Sequence, residues 1–155
     1  MAAENPPKPL ALKLRAEDAD DLAVISACVQ DALISVKDLI YDRNAGSFTL
    51  VANRFRWEGR PDEGNGAPAY ERTLCTVSFA AVQKVSYRGF RRASEDRILS
   101  LLAIRPNAED GVIDIEFSGD ATVRLGVSGI RVYATDVGDP WPTAWQPDHE
   151  ADDPR

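Results

Sequence analysis

Two arginines, Arg54 and Arg56, alternate with two large rings, Phe55 and Trp57. Successive side chains of a β-strand point to opposite faces, so this spacing places both guanidinium groups on one face and both rings on the other. A guanidinium group can form two parallel hydrogen bonds with a carboxylate or a phosphate. With the rings buried, we expect the two arginines to point outward and to bind an anion or an acidic partner.

The charge of the chain supports a local basic surface. Segment 54–105 holds ten basic and six acidic residues, a net charge of +4, in a 155-residue chain whose net charge is −7. Two more arginines of this segment follow the predicted strand, one bordering a loop and one on a later strand. We predict that the main surface for an anionic ligand or an acidic protein partner consists of four residues, Arg54, Arg56, Arg72 and Arg88.

The alternative is that these arginines are neutralised within the chain, by Glu58, Glu71 or the acidic segment 148–153. The overall negative charge argues against general nucleic-acid binding. The N-terminal segment contains three prolines and no long apolar stretch, which argues against a signal peptide or a membrane anchor. We therefore expect a cytoplasmic protein, and the sequence leaves its oligomeric state open.

Other residue types give little support for catalysis. The only histidine, His149, lies in the acidic C-terminal segment, and Cys28 and Cys75 lie in apolar runs that indicate buried thiols. Asp114 and Glu116 are two residues apart on a predicted strand, which places both carboxylates on its outward face. We predict no catalytic residues, cofactor or metal. A non-catalytic binding or accessory module is the favoured function, and an enzyme of unrecognised type acting on a small anionic metabolite is the alternative.

The stretch Leu39–Trp57 that carries the first arginines predicts a β-hairpin, because two apolar runs flank the turn-forming residues 42–46. Phe48 and Leu50 have even numbers, whereas Phe55 and Trp57 have odd ones. Bringing all four side chains to the core requires one extra residue. We therefore predict a β-bulge near residues 51–53.

The flanking elements follow from periodicity and turn residues. Apolar residues at helical spacing after three aspartates predict a helix over about 18–32. Residues 58–72 predict a long loop, and the apolar run 73–87 predicts a strand that bends or breaks near 80–83. Residues 98–104 predict a central strand covered on both faces, and 112–127 predict a tight hairpin.

We therefore predict an α+β fold, in which an N-terminal helix packs on an antiparallel meander of six or seven bent strands. One globular domain over 10–149 has flexible ends, 1–9 and 150–155. The sheet is expected to form either a partly open, pleckstrin-homology-like barrel or two related three-strand units. The second alternative rests on a weak internal similarity: an Asn-Ala-containing turn followed by strands occurs at 44–45 and again at 107–108.

Four stretches together resemble a family of uncharacterised proteins from Gram-negative bacteria: LKLRAEDADDLAVISACVQDAL, ANRFRWE, ILSLLAI and DVGDPWPT. The resemblance covers about residues 10–149. Members of that family are often encoded near histidinol dehydrogenase. The family has no assigned activity, so the resemblance implies no functional residue.

Overall fold

The computed structural model describes residues 11–57, 70–91, 96–107 and 109–143. Within these ranges the chain forms an α-helix, a 3₁₀ turn and ten β-strands. In chain order they are β1 (Lys13–Ala16), α1 (Ala19–Cys28), β2 (Leu33–Ser35), the 3₁₀ turn (Val36–Asp38), β3 (Ile40–Asp42), β4 (Ser47–Phe55), β5 (Tyr70–Phe79), β6 (Val82–Arg88), β7 (Ile98–Asn107), β8 (Val112–Phe117), β9 (Ala121–Val127) and β10 (Val132–Thr143).

The predicted combination of an N-terminal helix with a mainly antiparallel sheet is confirmed, but the predicted number of strands is too low. The strands β1, β2 and β3 have only three or four residues each. So short a segment contains too few side chains to show a two-residue periodicity. Pairing with β10 and β7, which are distant in sequence, makes β1 and β2 strands, whereas β3 pairs with its neighbour β4 in the predicted hairpin.

Helix α1 begins where the aspartates predict. The side chain of Asp18 accepts a hydrogen bond of 2.8 Å from the backbone N–H of Asp21. Leu22 and Ile25 are the buried residues of the helix. The helix ends at Cys28, earlier than predicted. Asp31 takes a left-handed backbone conformation (φ 64°) and donates its N–H to the carbonyl of Leu101, which directs the chain into β2.

All neighbouring strands of the sheet are antiparallel. Their order is β1-β10-β5-β4-β2-β7-β8-β9-β6, with β3 also paired to β4. The order has two ends, β1 and β6, so the sheet is open along the described residues. A pleckstrin-homology-like barrel stays a prediction, as do the domain limits. The predicted flexible ends and most of the predicted loop 58–72 lie outside the described residues.

The sheet contains two three-strand units, and the strand that follows each unit along the chain pairs with the other unit. In the first unit β4 pairs with β3 and β5, and in the second β8 pairs with β7 and β9. The chain leaving β5 bends at Ala81 (φ 57°) into β6, which pairs with β9, and the chain leaving β9 continues into β10, which pairs with β5. The predicted break near 80–83 is confirmed. Hydrogen bonds join the segment between β5 and β6 to the segment between β9 and β10: Ala80 N–H donates to Arg131 O, and Ser128 N–H donates to Ala81 O.

The inward faces of both units share one hydrophobic core with α1. The predicted hairpin of β8 and β9 is confirmed, and its inward side chains are buried as expected. The prediction that residues 98–104 are covered on both faces is wrong. Ile98 and Leu102 are 58% and 46% exposed, because β7 has solvent on its outward face although strands flank it on both sides.

The predicted hairpin of β3 and β4 is confirmed, whereas the predicted bulge in β4 is wrong. Strand β4 pairs with β5 without a register shift from Phe48 to Phe55. The even-numbered side chains all point to the core, and Phe55 lies on the opposite face. Phe55 is nevertheless buried, because the rings of Trp57 and Tyr70 cover it, with centroids at 4.8 and 5.6 Å.

Candidate functional site

Arg54 does not point outward, as the sequence predicts, but inward. Since β4 has no bulge, position 54 continues the inward row of Phe48, Leu50 and Ala52. The side chain of Arg54 is fully buried, with 0% exposure. The expectation of an exposed guanidinium group at this position is therefore wrong, because the aromatic residue next to it is covered on the other face of the sheet.

A buried carboxylate neutralises Arg54. Its Nε donates to Asp136 Oδ1 at 2.8 Å and its Nη2 donates to Asp136 Oδ2 at 2.7 Å. The Asp136 side chain is 4% exposed, and its Oδ2 also accepts the backbone N–H of Leu12 at 2.8 Å. The pair joins β4 and β10 across β5 and fixes the chain that enters β1. This arrangement is that of a structural ion pair.

Cys75, which lies on β5 between β4 and β10, has an unreactive thiol. Cys75 on β5 is in register with Asp136 on one side and Ala52 on the other, so its thiol lies beside the ion pair. Burial in the core, reinforced by the charge of Asp136, raises the pKa of Cys75 to about 12. A thiol with such a pKa stays protonated at neutral pH and is a poor nucleophile.

Arg56 and Arg72 also have partners within the chain. Arg56 is 7% exposed, and its Nη1 donates to Glu71 Oε1 at 2.6 Å, as the alternative of internal neutralisation anticipates for Glu71. Arg72 is 6% exposed and donates to the side-chain and backbone oxygens of Asn53, both at 2.7 Å. Burial lowers the pKa of Arg72, and the nearby carboxylate of Asp31 partly offsets this effect. Both guanidinium groups are thus largely enclosed.

The fourth predicted residue, Arg88, is exposed. It lies on β6, at one end of the strand order, whereas the other three arginines lie on or next to β4 and β5. The structure therefore does not bring the four arginines together in one surface. Their predicted binding role stays a prediction, and Arg88 alone has the exposure that it requires.

Arg88 belongs to a polar hollow of about 370 Å³ on the outward face of β6 and β9. Paired register places Ser86 opposite Arg124 and Arg88 opposite Thr122, while Lys84 faces Gly126. We call this hollow the basic groove; its lining consists of Lys84, Ser86, Tyr87, Arg88, Thr122 and Arg124. It combines cations with hydroxyl groups, which can both donate hydrogen bonds to an oxyanion.

The three cations of the basic groove differ in availability. Arg124 forms two hydrogen bonds with Asp114 on β8, at 2.8 and 2.9 Å, and this carboxylate raises the pKa of Arg124. Lys84 and Arg88 are exposed and have no ion-pair partner in the part of the chain that the structure describes. These two cations can therefore meet an anion without first breaking an ion pair of the chain.

Sequence reasoning names Arg88 but misses Ser86, Thr122 and Arg124 as its neighbours. A signal for Arg124 and Thr122 is present in the predicted hairpin 112–127: inward Val123 and Leu125 imply outward positions for residues 122 and 124. The pairing of β9 with β6 carries no such signal, because β6 follows the first unit along the chain whereas β9 belongs to the second.

No group of three or more His, Cys, Asp or Glu side chains among the described residues is arranged to hold a metal ion. In the same residues, no helix is sufficiently long and apolar to cross a membrane.

Comparison with known proteins gives a family but no activity. No curated protein and no solved structure matched the chain. The family model described as "Protein of unknown function (DUF2948)" matches residues 12–149, which is most of the chain. The match extends over every strand of the sheet and over the basic groove. The chain is therefore a member of the DUF2948 family, whose function is unknown.

Proposed function

We propose that this protein is a non-catalytic binding module whose basic groove accepts an acidic segment of a protein partner. The observation that carries the proposal is a pair of exposed cations, Lys84 and Arg88, four residues apart on one strand of an acidic protein and without ion-pair partners among the described residues. Cations presented on a strand attract carboxylates and form charge-assisted hydrogen bonds with them.

The position of β6 favours a protein segment over a small ligand. Strand β6 ends the strand order, so its side away from β9 pairs with no described strand. An extended segment can add to such an edge through backbone hydrogen bonds while its side chains contact the face. A small ligand is usually enclosed by apolar walls, whereas the lining of this groove is mainly cations and hydroxyl groups.

The same lining bears on the alternative of an enzyme acting on a small anionic metabolite. General acid–base catalysis requires a group that can exchange a proton near neutral pH. Among the described residues, the lining of the basic groove contains no carboxylate and no imidazole, the groups that most often exchange a proton in this way. The groove is thus better suited to holding an acidic group than to transforming it.

Binding can be tested with a fluorescent acidic peptide that alternates glutamate and valine, titrated with the full chain. An exposed charge pair contributes roughly 0.5–1 kcal/mol, so Lys84→Ala with Arg88→Ala should weaken binding about five- to thirtyfold. The matched control is Arg43→Ala with Arg131→Ala, which removes two exposed cations outside the groove lining.

We expect the control to bind within about twofold of the wild type, and we expect added salt to weaken binding. Equal losses in both double variants would mean that only net charge matters, and the groove would be rejected. Inorganic phosphate serves as the competitor. If it binds the groove and the peptide does not, the ligand is a small anion instead of a protein segment.

We also propose that the two three-strand units arose by duplication. The same kind of turn joins the first two strands of each unit: the N–H of Ala45 donates to Asp42 Oδ1 in the first, and the N–H of Asp110 donates to Asn107 Oδ1 in the second. Gly46 and Gly111 follow with φ of 64° and 63°. Across family members, identity between positions 65 residues apart should exceed identity at other offsets; an equal level would reject duplication.

A further inference from the structure

The exposed large hydrophobic side chains are concentrated on one face of the sheet. Among the described residues nine such side chains are exposed, and seven of them lie on the outward face formed by β10, β5, β4, β3, β2 and the start of β7. We call this surface the apolar face; its exposed hydrophobic residues are Leu33, Ile40, Leu74, Ile98, Tyr133, Val137 and Trp141. Such a concentration indicates an interaction surface.

The register of the strands places these side chains beside one another. Val137 is opposite Leu74, which is opposite Asn53, which in turn is opposite Leu33. Residues in register share a face of the sheet, so this row crosses four strands on the outward side. Near its end Leu33, Leu74 and Ile98 line a shallow hollow of about 290 Å³.

The centre of the apolar face carries hydroxyl groups in place of charges. Thr49 and Ser78 hydrogen-bond each other at 3.1 Å, and the hydroxyl group of Thr76 donates to the carbonyl of Thr135. These hydroxyl groups already have partners within the sheet. Covering them therefore leaves few polar groups without a hydrogen bond.

Charges of opposite sign stand at opposite edges of the face. Lys13 on β1 is opposite Thr135, which is in the row of Thr76 and Val51. Asp38 lines the hollow beside Val51 at the other edge. Lys13 and Asp38 are therefore at a similar level along the strands but several strands apart.

We propose that the apolar face is the interface of a homodimer, with a second copy of this chain as its occupant. A two-fold axis parallel to the strands turns one face onto the other and exchanges left and right edges. Each Lys13 then lies across from Asp38 of the other copy, and the same surface is used twice. A chain with a net charge of −7 can approach its own copy here because the centre of the face is uncharged.

The size of the face is sufficient. Five strands at about 4.8 Å spacing and seven residues at about 3.3 Å give roughly 550 Å² per copy, or about 1,100 Å² in total. A specific interface requires about 1,000 Å² or more, so the apolar face reaches the lower limit. We expect a dimer that dissociates in the micromolar range.

The first experiment measures the oligomeric state of the full chain by sedimentation equilibrium between about 1 and 200 μM. Leu74→Glu places a carboxylate in the middle of the face and should raise the dimer dissociation constant at least about tenfold. The control is Val24→Glu, which places the same carboxylate at an exposed apolar residue of α1, outside the apolar face, and should leave the dimer unchanged. Circular dichroism checks that both variants are folded.

The second experiment reverses the edge charges. Lys13→Glu and Asp38→Lys should each weaken the dimer several-fold, and the double variant should recover the wild-type dissociation constant. Recovery is specific to a contact between copies, because the two residues are on opposite edges of one chain. A wild-type monomer at every concentration, a dimer insensitive to Leu74→Glu, or a double variant as weak as the single ones would each overturn the proposal.

Discussion

Replacing Arg54 by methionine should cost a large part of the stability of the fold. Arg54 is fully buried, and the variant leaves the Asp136 carboxylate in the core without its guanidinium partner, with the N–H of Leu12 and the thiol of Cys75 as its donors among the described residues. Removing one member of a buried ion pair typically costs about 3–5 kcal/mol, because the other charge is left uncompensated. Since a domain is stable by only about 5–15 kcal/mol, this loss removes between roughly a fifth and all of that stability.

The double variant Arg54→Met with Asp136→Asn separates the cost of the lone charge from the loss of the pair. The asparagine amide oxygen can still accept the N–H of Leu12, and no buried charge remains. We expect the double variant to be about 2 kcal/mol more stable than Arg54→Met alone. The two single substitutions should therefore be strongly non-additive.

Urea unfolding followed by tryptophan fluorescence and circular dichroism gives these free energies. The control is Arg88→Met, which removes an exposed arginine without an ion-pair partner in the described residues and should change stability by less than about 0.5 kcal/mol. A cost below about 1 kcal/mol for Arg54→Met, or additive single substitutions, would refute the assignment of a buried, mutually compensating pair.

Two further predictions concern backbone space and thiol chemistry. A Cβ atom at Gly89 (φ 82°) would clash with the backbone oxygen of Asp120, so Gly89→Ala should cost at least about 2 kcal/mol in urea unfolding. Gly129→Ala, with no atom within 4 Å, should cost less than about 1 kcal/mol, and similar costs for both would contradict the crowding argument. Because burial raises the pKa of Cys75 to about 12, its thiol should resist alkylation at pH 8 until the protein unfolds. Stability should also fall as pH rises from about 9 towards 12, since the unfolded thiol ionises first; Cys75→Ala should reduce this slope, and an unchanged slope or rapid alkylation of the folded chain would refute the shift.

Local sequence patterns predict the secondary-structure elements, whereas contacts between distant segments determine which side chains meet at the candidate site. The hairpins, the helix start and the break after β5 each depend on residues close together in the sequence, such as Asp18 and Asp21. The partner of Arg54 is 82 residues away, so no local pattern indicates it. The numbering of the aromatic residues predicts a bulge only if all of them share one core, whereas Phe55 is buried on the other face by Trp57 and Tyr70.

One signal for the buried pair is nevertheless present in the sequence. Arg54 follows Phe48, Leu50 and Ala52 at the same two-residue spacing, and Asp136 follows Val132 and Ala134 in the same way. Opposite charges that continue two inward rows can pair in the core. The basic groove gives no comparable signal, because it depends on which strands of the two units become neighbours.

The exchange of strands between the units determines what a growing chain can complete during its synthesis. The three strands of the first unit are complete once β5 has been synthesised. One edge of β5 stays unpaired until β10 has been synthesised. Strand β1 is the first described strand to be synthesised, and its partner, β10, is the last. Until then Arg54 lacks its carboxylate and an unpaired strand edge is open to other chains. A nascent chain that stops before residue 132 therefore has an unsatisfied charge and an exposed edge, two features by which quality control can recognise it.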